Sequence, residues 1–240
     1  MVRLQDGTTV NSRGVIIATG VSYRRLAVPE LESLAGAGVF YGAATAEAQA
    51  VSGKRAFVVG GGNSAGQAAV HLSRYARQVT VLIRSQSLAA SMSQYLIREI
   101  EAAPNIDVRY RTEVTGAGGD GHLERLTLRN RNTGEAETAP ADGLFVLIGA
   151  QPFTQWLPAA VGRDRWGFVL TGADVADRWT LDRAPLPLET STPGVFAAGN
   201  VRHGSVKRVA SAVGDGSIAI RLVQEYLALR DRHPRRRGRV

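Results

Sequence analysis

The sequence predicts an α/β fold: a parallel sheet flanked by helices and carrying an antiparallel insertion. Three observations predict it. Unbroken apolar runs of strand length at Lys54–Val59, Gln78–Ile83 and Leu144–Ile148 are interleaved with segments of helical period. A glycine cluster, Gly60-Gly61-Gly62, joins the first run to a helix. Two more polar runs, Leu123–Leu128 and Glu135–Thr138, flank Asn132-Thr133-Gly134 and read as a small antiparallel meander.

In chain order, Asp6-Gly7 within LQDGTT signals a hairpin between two short extended pieces. Val15–Ala18 is a buried strand stopped by Thr19-Gly20, and a loop with Pro29 leads to Leu31–Leu34. After the strand at Lys54–Val59, Asn63–Ala76 is a helix whose Ala65, Ala68, Ala69, Leu72 and Ala76 share one stripe. Strand Gln78–Ile83 follows, then helix Leu88–Ala102 with Met92, Leu96 and Ile100 on one face, then strand Ile106–Tyr110. The meander leads back to strand Leu144–Ile148. Beyond Pro152 the pattern is irregular up to Pro193; Val195–Ala198 is a short strand and Ser211–Leu229 the last helix.

Composition narrows the function classes. With 240 residues, 44% hydrophobic and 21% charged, the chain has a core to bury and is not a disordered type. Its longest apolar runs are too short to span a bilayer, so no membrane partner is expected. Met1–Asp6 turns polar at once, so no leader is expected and the cytoplasm is the expected location. Zero cysteines exclude disulfides, thiolate nucleophiles and cysteine metal sites, and the four scattered histidines give a metal site no support. The net charge of +8 is partly carried by a basic tail, residues 230–240, with six arginines. That tail reads either as a contact for an acidic surface or as a solvated terminus. No nucleic-acid motif or interleaved aromatic accompanies it, so no nucleic-acid partner is expected.

The chemistry-bearing motif is Gly60-Gly61-Gly62-Asn63-Ser64-Ala65, which fits G-x-G-x-x-A between a strand and a helix, with a further strand behind it. Gly60 permits the tight turn, Gly62 admits a pyrophosphate close to the backbone, and Ala65 allows close helix–strand packing. The helix start then offers free N–H groups, those of Asn63 and Ser64 among them, to phosphates. This makes the domain Rossmann-like, three-layered and nucleotide-binding; the alternative is an ordinary glycine-rich turn. The next strand ends in Ile83-Arg84-Ser85-Gln86, with no acid to hold a ribose 2′-hydroxyl. Arg84 can meet a 2′-phosphate and Ser85 can add a hydroxyl donor, so NADP (as NADPH) is the favoured cofactor. The alternative for Arg84 is a plain surface arginine.

VIIATG, VVGGGNSA, LFVLIGAQPFT and TPGVFAAGN, in this order, resemble the flavin-dependent pyridine nucleotide–disulfide oxidoreductases, and within them the low-molecular-weight thioredoxin reductases. The resemblance runs from about residue 10 to about residue 228. It implies a partial FAD-binding domain in two pieces, residues 1–36 and 150–229, around an NAD(P)-binding domain, residues 37–149. It places Ala18-Thr19-Gly20 beside the flavin nucleotide and Gly149 at the end of the strand that closes the nucleotide domain. It puts Gly199-Asn200 where the family has a Gly-Asp pair on the ribityl chain, and Val209-Ala210 at the helix start facing the flavin pyrimidine. A homodimer is the family's usual assembly.

The departures from the family are as informative. Where thioredoxin reductases carry C-A-T-C and an acid, this chain reads Ala43-Ala44-Thr45-Ala46-Glu47. Methyl groups at Ala43 and Ala46 cannot perform thiol–disulfide exchange. Glu47 then reads as a helix-start carboxylate, Ser85 and Ala89 stand where further arginines are usual, and the family's first flavin-binding G-x-G-x-x-G is absent. The expected parent activity is therefore NAD(P)H oxidation through FAD to a non-disulfide acceptor: oxygen, a quinone, an iron centre or a flavodoxin-like partner. Ferredoxin–NADP reductases of the thioredoxin-reductase type also lack the cysteine pair. The competing expectation is an NADP(H)-binding or sensing module, or an inactive remnant, without turnover.

Overall fold

The computed structural model describes residues 1–42 and 45–232, with only the backbone of Thr45. In chain order the elements are β1 (Val2–Arg3), β2 (Thr9–Val10), β3 (Val15–Ile17), β4 (Val21–Tyr23), α1 (Glu30–Ser33), β5 (Val39–Phe40), α2 (Thr45–Ala50), β6 (Arg55–Val59) and α3 (Asn63–Leu72). There follow β7 (Gln78–Leu82), α4 (Gln94–Ala102), β8 (Ile106–Arg109), β9 (Thr112–Gly118), β10 (Arg125–Asn130), β11 (Ala136–Pro140) and β12 (Gly143–Val146). The chain closes with β13 (Ala150–Pro152), β14 (Val195–Ala197) and α5 (Val209–Arg232), with a 3₁₀ turn at Gly172–Arg178 between β13 and β14. It divides into two compact units, residues 23–149 and residues 1–22 with 150–240.

The unit at residues 23–149 is built on a five-stranded sheet in the order β5-β12-β6-β7-β8, parallel throughout. Strand residues alternate sides, so an apolar strand covered on both faces feeds two cores. Val58, Val79, Val81 and Phe145 face α3 and α4, where they meet Ala65, Ala69, Leu72, Leu96 and Ile100. Phe57, Val59, Leu82, Leu144 and Val146 face the other way, toward Leu31, Leu34, Leu123, Leu126 and Leu128. The second face is covered by α1 and by the antiparallel sheet β11-β10-β9. Helices, parallel sheet and antiparallel insertion are the three layers the apolar runs predict. Because Leu31 and Leu34 lie in this core, the segment from Tyr23 to Gly36 clusters with this unit.

Several details differ from the sequence expectation. The meander has a third strand, β9, whose TEVTGAG is too polar and glycine-rich to stand out. Helix α3 ends at Leu72; Ala76 is nonetheless buried on the expected stripe. Helix α4 starts at Gln94, because Leu88–Met92 folds into turns in which Ser91 and Met92 donate to the carbonyl of Leu88. The basic tail is helical through Arg232, and the remainder lies outside the described residues.

At the start of β6 the backbone N–H and the guanidinium of Arg55 both donate to Asp142, just ahead of β12, at 2.9 Å each. The Arg55 hydrogen bond holds the Asp142 carboxyl below its ordinary value against the opposing effect of burial. A depressed folded-state pKa adds stability above the unfolded-state value that disappears as pH falls through the folded one. Urea denaturation should therefore show wild type and Asp142→Asn separated at neutral pH and converging in acid below the ordinary carboxylate range. A gap that persists unchanged in acid would contradict this role.

In the second unit, β1 and β2 form the hairpin expected around Asp6-Gly7. Strand β14 pairs parallel with β3, and Phe196 packs with Ala219, Leu222 and Tyr226 of α5. Ile17, Ala197 and Val201 pack on Leu157, Val161 and Val169. The strand at Val15–Ala18 was expected to be buried; only one face is, and Ile16 is 38% exposed. The two-stranded ladder leaves that face to line a cleft. No helix among the described residues is long and apolar enough to cross a membrane.

Candidate functional site

In the five-stranded unit the site forms where β6 turns into α3. Gly60 sits at a φ of 145°, a conformation open mainly to glycine. A Cβ there would stand 2.4 Å from the Leu147 carbonyl oxygen and 3.0 Å from the Ala65 methyl. The turn is thus tight against the end of β12, as the fingerprint requires. Gly62 is the N-cap of α3, and a Cβ on it would meet nothing nearer than the Ser91 carbonyl at 3.9 Å. The space in front of the helix start is therefore open. No side chain caps α3 and no acid occupies its first turn, so its leading N–H groups are left for an anion. Ser64 is exposed at this end and Ala65 is fully buried against the sheet.

The carboxamide of Asn63 turns away from that role: its Oδ1 accepts from the Ser93 N–H at 2.7 Å. Ser91 Oγ donates to the Gly61 carbonyl at 2.8 Å. The segment before α4 therefore braces the glycine turn from behind, through two serines that carry no sequence signal of their own. Arg84 and Ser85 come after β7 and the buried Ile83, and both are exposed. Ser85 Oγ already donates to the Ser87 carbonyl at 2.8 Å, so toward a phosphate it lacks the donor expected of it. Arg84 makes no ion pair among the described residues. Gly149, at a φ of 104°, closes the unit and accepts from the Arg24 N–H at 3.0 Å.

The other unit holds a cleft of about 390 Å³ lined by Ile16, Ala18, Gly20, Gly199, Asn200 and Ala212, among others. Its walls are small and apolar where β3 and β14 end. Gly199, at a φ of 74°, donates its N–H to Asp215 of α5 at 3.0 Å, and Arg202 Nε meets the same carboxylate at 3.1 Å. That clamp fixes the turn after β14. It leaves Asn200 Oδ1 buried without a hydrogen-bond partner among the described residues. An orphaned buried acceptor is costly unless a water or a ligand hydroxyl completes it. The cleft thus fits a polyol chain such as the flavin ribityl. Thr19 is near but spends its hydroxyl on the Phe153 carbonyl at 2.9 Å, and Val209 and Ala210 are exposed in the first turn of α5. Nearby, burial works against the ionised Asp164, but the His203 ring at 2.8 Å and the backbone N–H groups of Phe168 and Trp166 hold its pKa low.

The profile of the family described as pyridine nucleotide-disulphide oxidoreductase matches residues 1–216. The chain belongs to that family. Within it, the chain is similar to the thioredoxin reductase of Streptomyces clavuligerus, 33% identical over 222 residues that make up 92% of this chain and 64% of that protein. It is 32% identical over 215 residues to a 34.2 kDa protein in the rubredoxin operon of Clostridium pasteurianum, covering 90% of this chain and 65% of that one. Its fold superposes on a thioredoxin reductase of Streptococcus pyogenes with a TM-score of 0.74 at 30% identity, covering 90% of this chain and 65% of that one. This family member is thioredoxin reductase-like, and it spans about two thirds of the length of these relatives.

Ala43 lies outside the described residues; Ala46 is an exposed methyl in the first turn of α2, with Glu47 behind it. Sequence reasoning missed Ser91, Ser93, Asp215 and Arg111, all of which touch the site loops through backbone contacts that no local pattern announces.

Proposed function

We propose that this chain serves a thioredoxin reductase-like NADPH oxidoreductase whose electron acceptor is not a disulfide. The observation that carries the reading is the pairing of a fingerprint turn open to phosphate at Gly60–Ala65 with a chain that has no cysteine. The chemistry such cofactors would supply when bound is hydride donation by the nicotinamide and electron transfer, singly or in pairs, by the flavin. The chain's own residues supply binding and placement. The α3 start holds the pyrophosphate, Arg84 meets the 2′-phosphate, and Asn200 orients a ribityl hydroxyl in its cleft. Val209 and Ala210 present the α5 start, whose partial positive charge favours an electron-rich flavin edge. The acceptor class includes quinones, oxygen, an iron centre or a small redox protein.

The test is a turnover assay on the purified chain supplied with FAD. NADPH consumption with a quinone and none with an aromatic disulfide or thioredoxin is the expected result. NADPH should outcompete NADH in binding, and Arg84→Ala should erase that margin. Disulfide-dependent NADPH consumption would overturn the reading. A second reading, a nucleotide-sensing module without turnover, is favoured by the complete five-stranded sheet of the nucleotide unit. It predicts the same NADPH preference with no FAD retained and no acceptor reduced.

A further inference from the structure

We infer that Arg111 is a second arm of the 2′-phosphate site and that it, with Arg84, sets the preference for NADPH. The inference rests on the proposed nucleotide reading and adds to it a residue from a different strand connection. Arg111 occupies the two-residue turn between β8 and β9. Its backbone N–H donates to the Ser85 carbonyl at 3.0 Å, which seats it against the loop that carries Arg84. Its own carbonyl accepts from the Arg131 N–H at 2.7 Å, and the neighbouring Thr112 N–H donates to the Ile83 carbonyl at 2.9 Å. The backbone is thus held from three sides. The Arg111 Nη2 donates to Gln86 Oε1 at 2.7 Å, so the guanidinium lies over the same Arg84–Gln86 loop.

Two features single it out from an ordinary surface arginine. The first is its charge balance. The other arginines on these strands have carboxylate partners: Arg109 with Glu137, Arg129 with Glu113 at 2.6 Å, and Arg131 with Glu113 at 3.4 Å. Half-buried Arg111 and exposed Arg84 have none among the described residues, and the Arg84–Gln86 loop contains no acid. Two unneutralised guanidiniums, one on the Arg84–Gln86 loop and one from the β8–β9 turn seated against it, suit a dianionic phosphate. The second is the backbone. Arg111 has a φ of 52°, a left-handed conformation that glycine or asparagine takes with less strain. A long cationic side chain at such a position costs the fold something that phosphate binding would offset. It also compensates for Ser85, whose donor is already engaged with Ser87.

The test uses the full chain and three probes: NADPH, NADH and 2′,5′-ADP, the last carrying the phosphate without the nicotinamide. Arg111→Asn keeps a residue at ease in the left-handed turn. It is expected to weaken NADPH and 2′,5′-ADP roughly tenfold or more, leave NADH unchanged, and leave the melting temperature equal or higher. Arg111→Lys should recover part of the affinity. A merely structural arginine would instead lower the melting temperature and affect both nucleotides alike. If Arg84→Ala loses NADPH affinity while Arg111→Asn does not, the second arm is wrong and the nucleotide reading stands. If the wild type binds NADPH and NADH equally, the preference itself is wrong and this inference falls with it.

Discussion

Gly60→Ala is expected to damage both the fold and nucleotide binding, whereas Gly62→Ala should damage binding alone. At Gly60 the added methyl would sit 2.4 Å from the Leu147 oxygen, at a φ that L-residues rarely adopt. Backbone strain and overpacking together should cost about 2–5 kcal/mol in chemical denaturation. The turn must shift to relieve the clash, and the α3 N–H groups shift with it, so NADPH affinity should drop roughly tenfold or more. Gly62 has an ordinary φ of −95° and free space around its Cβ position, so the same substitution should leave denaturation unchanged. Its methyl would occupy the approach to the helix start and weaken binding. Equal nucleotide affinity for wild type and Gly62→Ala would remove the pyrophosphate from this turn.

Arg183→Ala is expected to be the most destabilising single change in the unit that carries the cleft. Glu189 is fully buried and accepts from both terminal nitrogens of Arg183, at 2.8 and 2.7 Å. It also accepts the N–H groups of Leu186 and Gly194 at 2.9 Å each. The pair anchors the approach to β14, since the Ala197 N–H donates to the Leu188 carbonyl beside it. Removing the guanidinium leaves a buried carboxylate without its cation, at a cost of about 3–5 kcal/mol. Arg183→Lys should recover only a part, because an ammonium cannot form the two-pronged contact. Thermal unfolding followed by circular dichroism reads both, and a shift within a degree of wild type would refute the anchoring role.

The same contrast between local and long-range effects governs how much of the molecule was legible in its sequence. The apolar runs at β6, β7 and β12 announce a sheet covered on both faces, because each strand must feed two cores. The glycine fingerprint announces the tight strand-to-helix turn, because the φ at position 60 is one that residues other than glycine rarely adopt. The absence of cysteine, likewise a property of composition, is what separates the chain chemically from dithiol exchange. Strand β9 and the early end of α3 were not legible, since pairing and packing outweigh weak local preference in both places.

What the sequence by itself determined is the architecture of the five-stranded unit, the position of its glycine turn and the family to which the chain belongs. These follow from periodicity and from residues whose backbone or chemistry admits few alternatives. Only the tertiary structure decided which polar groups remain for a ligand. Asn63, Ser85 and Thr19 carry suitable groups, yet each is engaged with a backbone partner: the Ser93 N–H, the Ser87 carbonyl and the Phe153 carbonyl. Asn200 keeps an unpartnered oxygen, and Arg111 is brought to the Arg84 loop from the turn between β8 and β9. A hydrogen bond satisfied within the fold is withdrawn from binding, and that pairing is settled by distances between segments far apart in the chain.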